Sequence, residues 1–289
     1  MKKLAVLNLI FILILSSFYG CSSVPISGRQ QLSLVSDEQV LTLSLQEYND
    51  YIKTAKKSTD KTATTLVTTV GSKIADAVAA YYKYNGMESL LSGYAWEFNL
   101  IDDPQVNAFC MPGGKIVVYS GILPITKDET GLAVVVGHEV AHAVAKHANE
   151  RMSQQMVAQY GAAGLDALLS KTSSAVKTVG QTVYGLGAQY GVMMPYNRKQ
   201  ELEADYLGLV FMAIAGYNPQ AAVPFWERMS QQGSAAPEFL STHPSDNTRI
   251  EGIRQKLPEA LEYYNSIWGG NTSPATTQPK ANTSNEWRF

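Results

Sequence analysis

Four histidines occur in the chain, and three of them, His138, His142 and His147, fall within ten residues. The run His138-Glu139-Val140-Ala141-His142 sets two imidazoles four positions apart, about one helical turn, so both can face one metal ion with Glu139 beside them. Two neutral imidazoles and one carboxylate make a stable, partly open shell that suits zinc. Glu139 is then placed as a general base, taking the proton of an attacking water and delivering it to the leaving nitrogen of a peptide bond. By residue type alone, either histidine could instead satisfy a buried hydrogen bond. His147 lies five residues beyond His142, which on a continuing helix rotates it away from the two-ligand face, so it is expected at the surface or behind a ligand. A third protein ligand has three competing candidates, Glu201, Glu203 and Asp205, with a solvated acidic helix face as the plain alternative.

Positioning these groups requires helices. The apolar run Leu132 to Val136 leads directly into the histidine pair, on a helix expected from Asp128 or Thr130 to about His147 or beyond. A second strong helix is expected from Arg198 to about Ala215, carrying Glu201 and Asp205. Supporting helices are read at Ser36–Lys57, Thr65–Tyr82, Met152–Leu169 and Ala221–Gln232, with a last one from Asp246 to about Tyr264. Strand-like stretches are Ala95–Ile101, Phe109–Met111 and Lys115–Ser120, the last two joined through Pro112-Gly113-Gly114 as a hairpin or as neighbouring strands. The glycine-rich interval from Gly180 to Gly191 weakens any continuous helix there and reads as a gate near substrate. The fold class is therefore α+β, predominantly helical with a small sheet.

Bulk properties exclude several classes. A hydrophobic share of 45% is ordinary for a globular protein, so neither a membrane bundle nor general disorder is needed. The formal charge of −2 becomes about −4 without Lys2 and Lys3, and no basic stripe interleaved with aromatics is present, so no nucleic-acid partner is expected. Those two lysines precede the apolar run Leu4–Leu15 and a small-residue region ending at Cys21, the order of an export signal over residues 1–20. Phe18-Tyr19-Gly20-Cys21 resembles a lipoprotein processing site, which implies acylation of Cys21, a tether or extended entry segment over 21–34, and lipid anchoring at a membrane surface. One peptidase domain is expected over 35–266 and a flexible tail over 267–289. Cys110 is then the one cysteine left in the folded body, expected buried or sparsely exposed and without a catalytic role.

Several segments together resemble the M48 metallopeptidase family, in particular its bacterial exported lipoprotein members. They are Asn107-Ala108-Phe109 with Pro112-Gly113-Gly114, Gly137 through His142, Arg198 with Glu201-Leu202-Glu203-Ala204-Asp205, and His243-Pro244 followed by Arg249. The resemblance implies zinc held by His138, His142 and Glu201, with Asp205 orienting a zinc-binding histidine. It implies that His243 stabilises the developing oxyanion or occupies the open metal position at rest, and that Arg249 supports substrate or the cleft. Gly114, Lys115, Ile116, Val117 and Val118 resemble the family's edge strand, to which an extended substrate adds by backbone hydrogen bonds. The implied function is a zinc endopeptidase cleaving misfolded or unfolded envelope proteins at the periplasmic face of a bacterial outer membrane, with an envelope assembly or chaperone partner. The alternative is a zinc-containing binding or chaperone lipoprotein with little proteolysis.

Overall fold

The computed structural model describes residues 21–170, 194–232 and 247–269, together with residues 174, 178, 239 and 243. The export signal, the glycine-rich gate, most of the last tail and the proposed helix start at Asp246 lie outside the described residues. Among the described residues, no helix is long and apolar enough to cross a membrane.

Residues 21–34, expected as a tether or an extended entry segment, hold two short strands and pack against the body. Strands β1 (Cys21–Ser23) and β2 (Gln30–Leu32) pair antiparallel, with Cys21 opposite Leu32, and the turn between them buries Val24 and Ile26 in the main core. Helix α1 (Asp37–Thr54) opens with Ser36 and Gln39 in a reciprocal capping box. Helix α2 (Lys61–Tyr84) is capped by Asp60 and buries Val67, Val70, Ile74, Val78 and Tyr81, the three-to-four-residue stripe expected from its sequence.

Strands β3 (Glu97–Ile101), β4 (Ala108–Met111) and β5 (Lys115–Tyr119) form one sheet in the order β3-β5-β4. β5 runs parallel to β3 and antiparallel to β4, and the β4–β5 hairpin turns through Gly113 and Gly114 at φ 91° and 82°. This corrects the edge-strand reading of Gly114, Lys115, Ile116, Val117 and Val118, because β5 is the central strand and both its edges are taken. The reason is visible in the residues: Ile116, Val117 and Val118 are all at most 1% exposed, and an unbroken apolar run is the mark of a strand covered on both faces. Gly114 holds the turn, its carbonyl accepting from the Glu97 N–H at 3.0 Å, and the Lys115 ammonium donates to the Ala95 carbonyl at 2.6 Å. The strand with a free edge on the other side of β5 is β4.

After a short helix α3 (Leu123–Thr126), helix α4 (Glu129–Val144) starts at an Asp128 cap, whose side chain accepts from the Gly131 N–H at 2.8 Å. Every residue from Gly131 to Val144 is buried, so α4 is the axis of the core rather than an amphipathic surface helix. It stops early, because Lys146 takes a left-handed conformation (φ 58°, ψ 35°) and the chain restarts as α5 (His147–Leu169). Helices α6 (Met194–Ile214), α7 (Ala222–Ser230) and α8 (Asn247–Trp268) complete the body. α6 packs along α4, and their backbones meet at Gly137 and Gly208. A Cβ on Gly208 would lie 2.9 Å from the His138 amide nitrogen and 3.0 Å from the Gly137 carbonyl carbon. Those are backbone atoms, which cannot rotate aside. Gly208→Ala is therefore expected to cost about 1–3 kcal/mol of stability. Urea unfolding of the metal-free protein measures it, and an unchanged midpoint would show that the two helices can slide apart freely.

Candidate metal centre

The close approach of α4 and α6 lets side chains from the two helices converge. His138, His142 and Glu201, with His243 from beyond α7, place their donor atoms within 4.8 Å of one another, all in buried positions. His138 Nε2 lies 3.1 Å from His142 Nε2 and 3.3 Å from Glu201 Oε2, and His142 Nε2 lies 3.2 Å from Glu201 Oε1. His243 Nδ1 lies 3.0 Å from Glu201 Oε2 and 3.2 Å from His138 Nε2. A tetrahedral zinc ion with donors at about 2.0–2.1 Å sets neighbouring donors roughly 3.3 Å apart. The donor set and its spacing therefore fit zinc. Burial also pushes the His142 imidazole well below its usual range, which keeps it neutral and able to bind metal.

Glu139 is 3% exposed and projects from the same helix. Its Oε1 lies 3.5 Å from His243 Nε2, too long for a good hydrogen bond, and has no hydrogen-bond partner among the described residues. Burial raises its pKa, the direction a general base needs in order to hold a proton transiently.

Behind the donors lies a second set of buried groups. Asp205 Oδ1 is 2.9 Å from His138 Nδ1, the orienting position expected of it. Arg249, expected at substrate or cleft, is 3% exposed and turned inward instead. Its guanidinium donates to both Asp205 oxygens at 2.6 and 2.8 Å and to the His243 carbonyl at 3.2 Å, and stacks 3.6 Å over the Trp226 ring. It also lies 3.2 Å from Glu201 Oε2. The substrate role is corrected on that ground: a planar fork paired with Asp205 in the interior holds the site and has no face left for substrate. Glu203 and His147 are buried as well, at 1% and 0%, and contact each other at 2.9 Å. The surface option for His147 is thus excluded and the position behind a ligand is the one observed. Arg198, by contrast, is exposed.

Residues missed by sequence reasoning are Arg29, Ser27, Glu150 and Gln200. Arg29 reaches Glu203 with Nε at 2.8 Å and Glu150 with both terminal nitrogens at 2.9 and 2.8 Å. Ser27 donates to Glu203, and Gln200 donates to Glu150 at 2.7 Å. No spacing rule links positions so far apart, and only the folded hairpin brings Arg29 to this network. Cys110, on β4, is half-buried; burial, and after it the Glu139 charge, push its thiol well above the ordinary range, which leaves it unreactive.

Two paired helices bring together a His-His-Glu donor set that fits zinc, with a buried carboxylate beside it, in an α+β fold compatible with the zincin class of metallopeptidases. The chain belongs to peptidase family M48, whose pattern matches residues 72–257. It is 39% identical over 188 residues to the mitochondrial metalloendopeptidase OMA1 of Schizosaccharomyces pombe, covering 62% of this chain and 53% of that protein. It is 33% identical over 271 residues to the protein of the same name in Saccharomyces cerevisiae, covering 86% and 74%. A beta-barrel assembly-enhancing protease of Escherichia coli is 30% identical over 168 residues, covering 56% and 34%. The chain thus spans about half the length of the fission-yeast relative. The bacterial outer-membrane location expected from the leader is corrected by the two yeast relatives, which are mitochondrial by name. Two lysines before an apolar run carry no address of their own.

His138 carries one further consequence. Burial and the neighbouring Arg249 push its imidazole down, but the hydrogen bonds to Asp205 and Glu201 outweigh them and hold it up at about 9. The metal-free site is therefore protonated on this group at pH 7, and zinc uptake there is expected to release about one proton. The release falls towards zero as pH rises through 9. Calorimetric titration with zinc in buffers of different ionisation heats measures it, and buffer-independent heats at pH 7 would contradict it.

Proposed function

We propose that the chain is an endopeptidase whose substrates are unfolded or locally disordered protein segments, bound in extended form along the free edge of β4. The observation that carries this is the position of β4, at the edge of its sheet and packed on α4, the helix that bears Glu139. The Asn107 carbonyl accepts from the Tyr119 N–H at 3.0 Å, which fixes the hydrogen-bonding phase of the β4–β5 ladder. Phe109 and Met111 then pair with β5, and the N–H and C=O groups of Ala108 and Cys110 point to the other side. The Ala108 N–H already donates to the Asn107 side-chain oxygen at 2.9 Å, so an extended peptide would pair with the Ala108 carbonyl and with the Cys110 N–H and carbonyl, its side chains largely unread, and any chain lacking stable structure would qualify.

His138, His142 and Glu201 would hold the zinc, which when bound supplies a Lewis acid that activates water and polarises the scissile carbonyl. Glu139 would accept the proton at Oε1, which has no hydrogen-bond partner among the described residues, and return it to the leaving amine. Asp205, itself fixed by Arg249, keeps His138 in the tautomer whose Nε2 faces the centre. His243 is the one donor that lies on neither α4 nor α6, so it is the one that can leave without disturbing the others. His243 would belong to the donor set at rest and, once displaced, would stand beside Glu139 to steady the oxyanion. The proteolytic reading is preferred because Glu139 stands buried beside the donor set, on the helix that carries two of its members, where a zinc-holding binding or chaperone protein needs no further carboxylate.

Glu139→Gln is expected to retain zinc and lose internal cleavage of an unfolded casein-type substrate by about 10²–10⁴-fold. Products are identified at matched zinc content, and cleavage by the variant at the native rate would remove Glu139 from the mechanism. A peptide substrate N-methylated at alternate positions is expected to show a raised KM with kcat little changed. An unaltered KM in both methylation phases would rule out pairing along β4.

A further inference from the structure

The two histidines of the metal-binding turn are supported from behind by different means. His138 has a carboxylate directly at its outer nitrogen, Asp205. Among the described residues, no carboxylate reaches the outer nitrogen of His142. That atom, Nδ1, lies 2.8 Å from Nδ1 of His147, and His147 Nε2 lies 2.9 Å from Glu203 Oε2. An ionised carboxylate only accepts hydrogen bonds, so the Nε2–H of His147 donates to Glu203. The Nδ1 of His147 then bears a lone pair and accepts from the Nδ1–H of His142. This leaves the Nε2 lone pair of His142 directed at Glu201 and the centre. His147 thus extends the reach of a carboxylate by one imidazole.

The backbone is bent to make this contact. On an unbroken helix His147 would turn away from His142, and the left-handed Lys146 is the residue that folds it back. A lysine in that conformation is strained, and strain held at a single residue beside a site is retained where the surrounding structure requires it. Glu203 is fixed in turn by the hairpin of β1 and β2, through Arg29 Nε at 2.8 Å and the Ser27 hydroxyl. Arg29 also grips Glu150, one turn along α5 from His147, so the same guanidinium fixes both ends of the contact.

We propose that His147 and Glu203 are positioning residues that hold His142 in its metal-competent tautomer and direction, and that Arg29 of the N-terminal hairpin locks this pair. The inference rests on the zinc reading of the centre. It places one determinant of zinc affinity at residue 29, ahead of the family-matched region that begins at residue 72.

The test compares zinc affinity, by competition with a chromophoric chelator, with thermal midpoints of the metal-free and zinc-loaded full chain. His147→Phe removes the acceptor and is expected to weaken zinc by about 10–100-fold. His147→Gln, whose amide can accept from His142 and donate to Glu203, is expected to recover most of that loss. Arg29→Met is expected to weaken zinc in the same direction by a smaller factor, and to lower the zinc-loaded midpoint more than the metal-free one. If His147→Phe does not fold, Glu203→Leu, which removes the acceptor, and Arg29→Met carry the comparison. Zinc affinity unchanged in the folded variants, or metal-free and zinc-loaded midpoints falling equally, would overturn the relay and leave a purely structural network. His138→Ala separates the two levels. Zinc lost there but kept in the relay variants defeats the relay alone, whereas an unsubstituted chain that takes up no zinc defeats the centre and the relay together.

Discussion

The contact on which the rest of the molecule depends is the backbone crossing of α4 and α6 at Gly137 and Gly208. Because neither helix has a side chain at that point, His138 and His142 on one meet Glu201 and Asp205 on the other at hydrogen-bonding distance. An added methyl group would separate two ligand sets that come from opposite helices. The apolar stretch Leu132–Val136 fixes α4 in the core, each large side chain contributing roughly 1.5–3 kcal/mol by burial, so the metal-binding turn inherits a rigid frame. The sheet and α2 close the other side of α4, and β4 is thereby set beside Glu139.

Holding that many charges inside has an electrostatic requirement. Glu139, Glu150, Glu201, Glu203 and Asp205 are all buried. The guanidinium groups that face them are Arg29 and Arg249, with Arg151 close enough to feel Glu201 and Glu139. Carboxylates are in excess, and a bound dication offsets that excess where it is greatest, between the ligand side chains. Arg249 does the same for Asp205, holding its carboxyl below the usual range against the opposing effect of burial. The site is thus assembled before substrate arrives, and its polar groups act as fixed partners rather than as mobile contacts.

How much of this was legible in the sequence depends on whether a residue's role follows from local geometry. The four-residue spacing of His138 and His142 is meaningful on any helix, and the apolar run ahead of it announces burial. Periodicity also located α1, α2, α4, α6 and α7 to within a few residues. Among the acidic candidates on α6, spacing alone could not choose, and only the family resemblance separated Glu201 from Glu203. The structure shows why the choice was difficult: Glu203 is as buried as Asp205 and serves the second histidine where Asp205 serves the first. For His147 the sequence left two positions open, the surface or behind a ligand, and the left-handed Lys146 is what selects the second.

The edge strand failed for a different reason. Ile116-Val117-Val118 between turn signals is compatible with an edge that accepts substrate or with a centre that accepts two neighbours, since both favour β-branched residues. What distinguishes them is polarity on the alternating positions, and β5 has none in its middle. A strand meant to meet solvent and substrate on one side keeps some polar character or an adjustable surface, as β4 does with its half-buried Phe109, Cys110 and Met111. Reading the free edge as β4 also resolves the geometry. The pairing groups of Ala108 and Cys110 then lie on the strand that packs against α4, so a bound chain would run past Glu139 rather than on the far side of the sheet. Substrate alignment and proton transfer would therefore be set by the same helix, and the width of the cleft by the packing of a single short strand upon it.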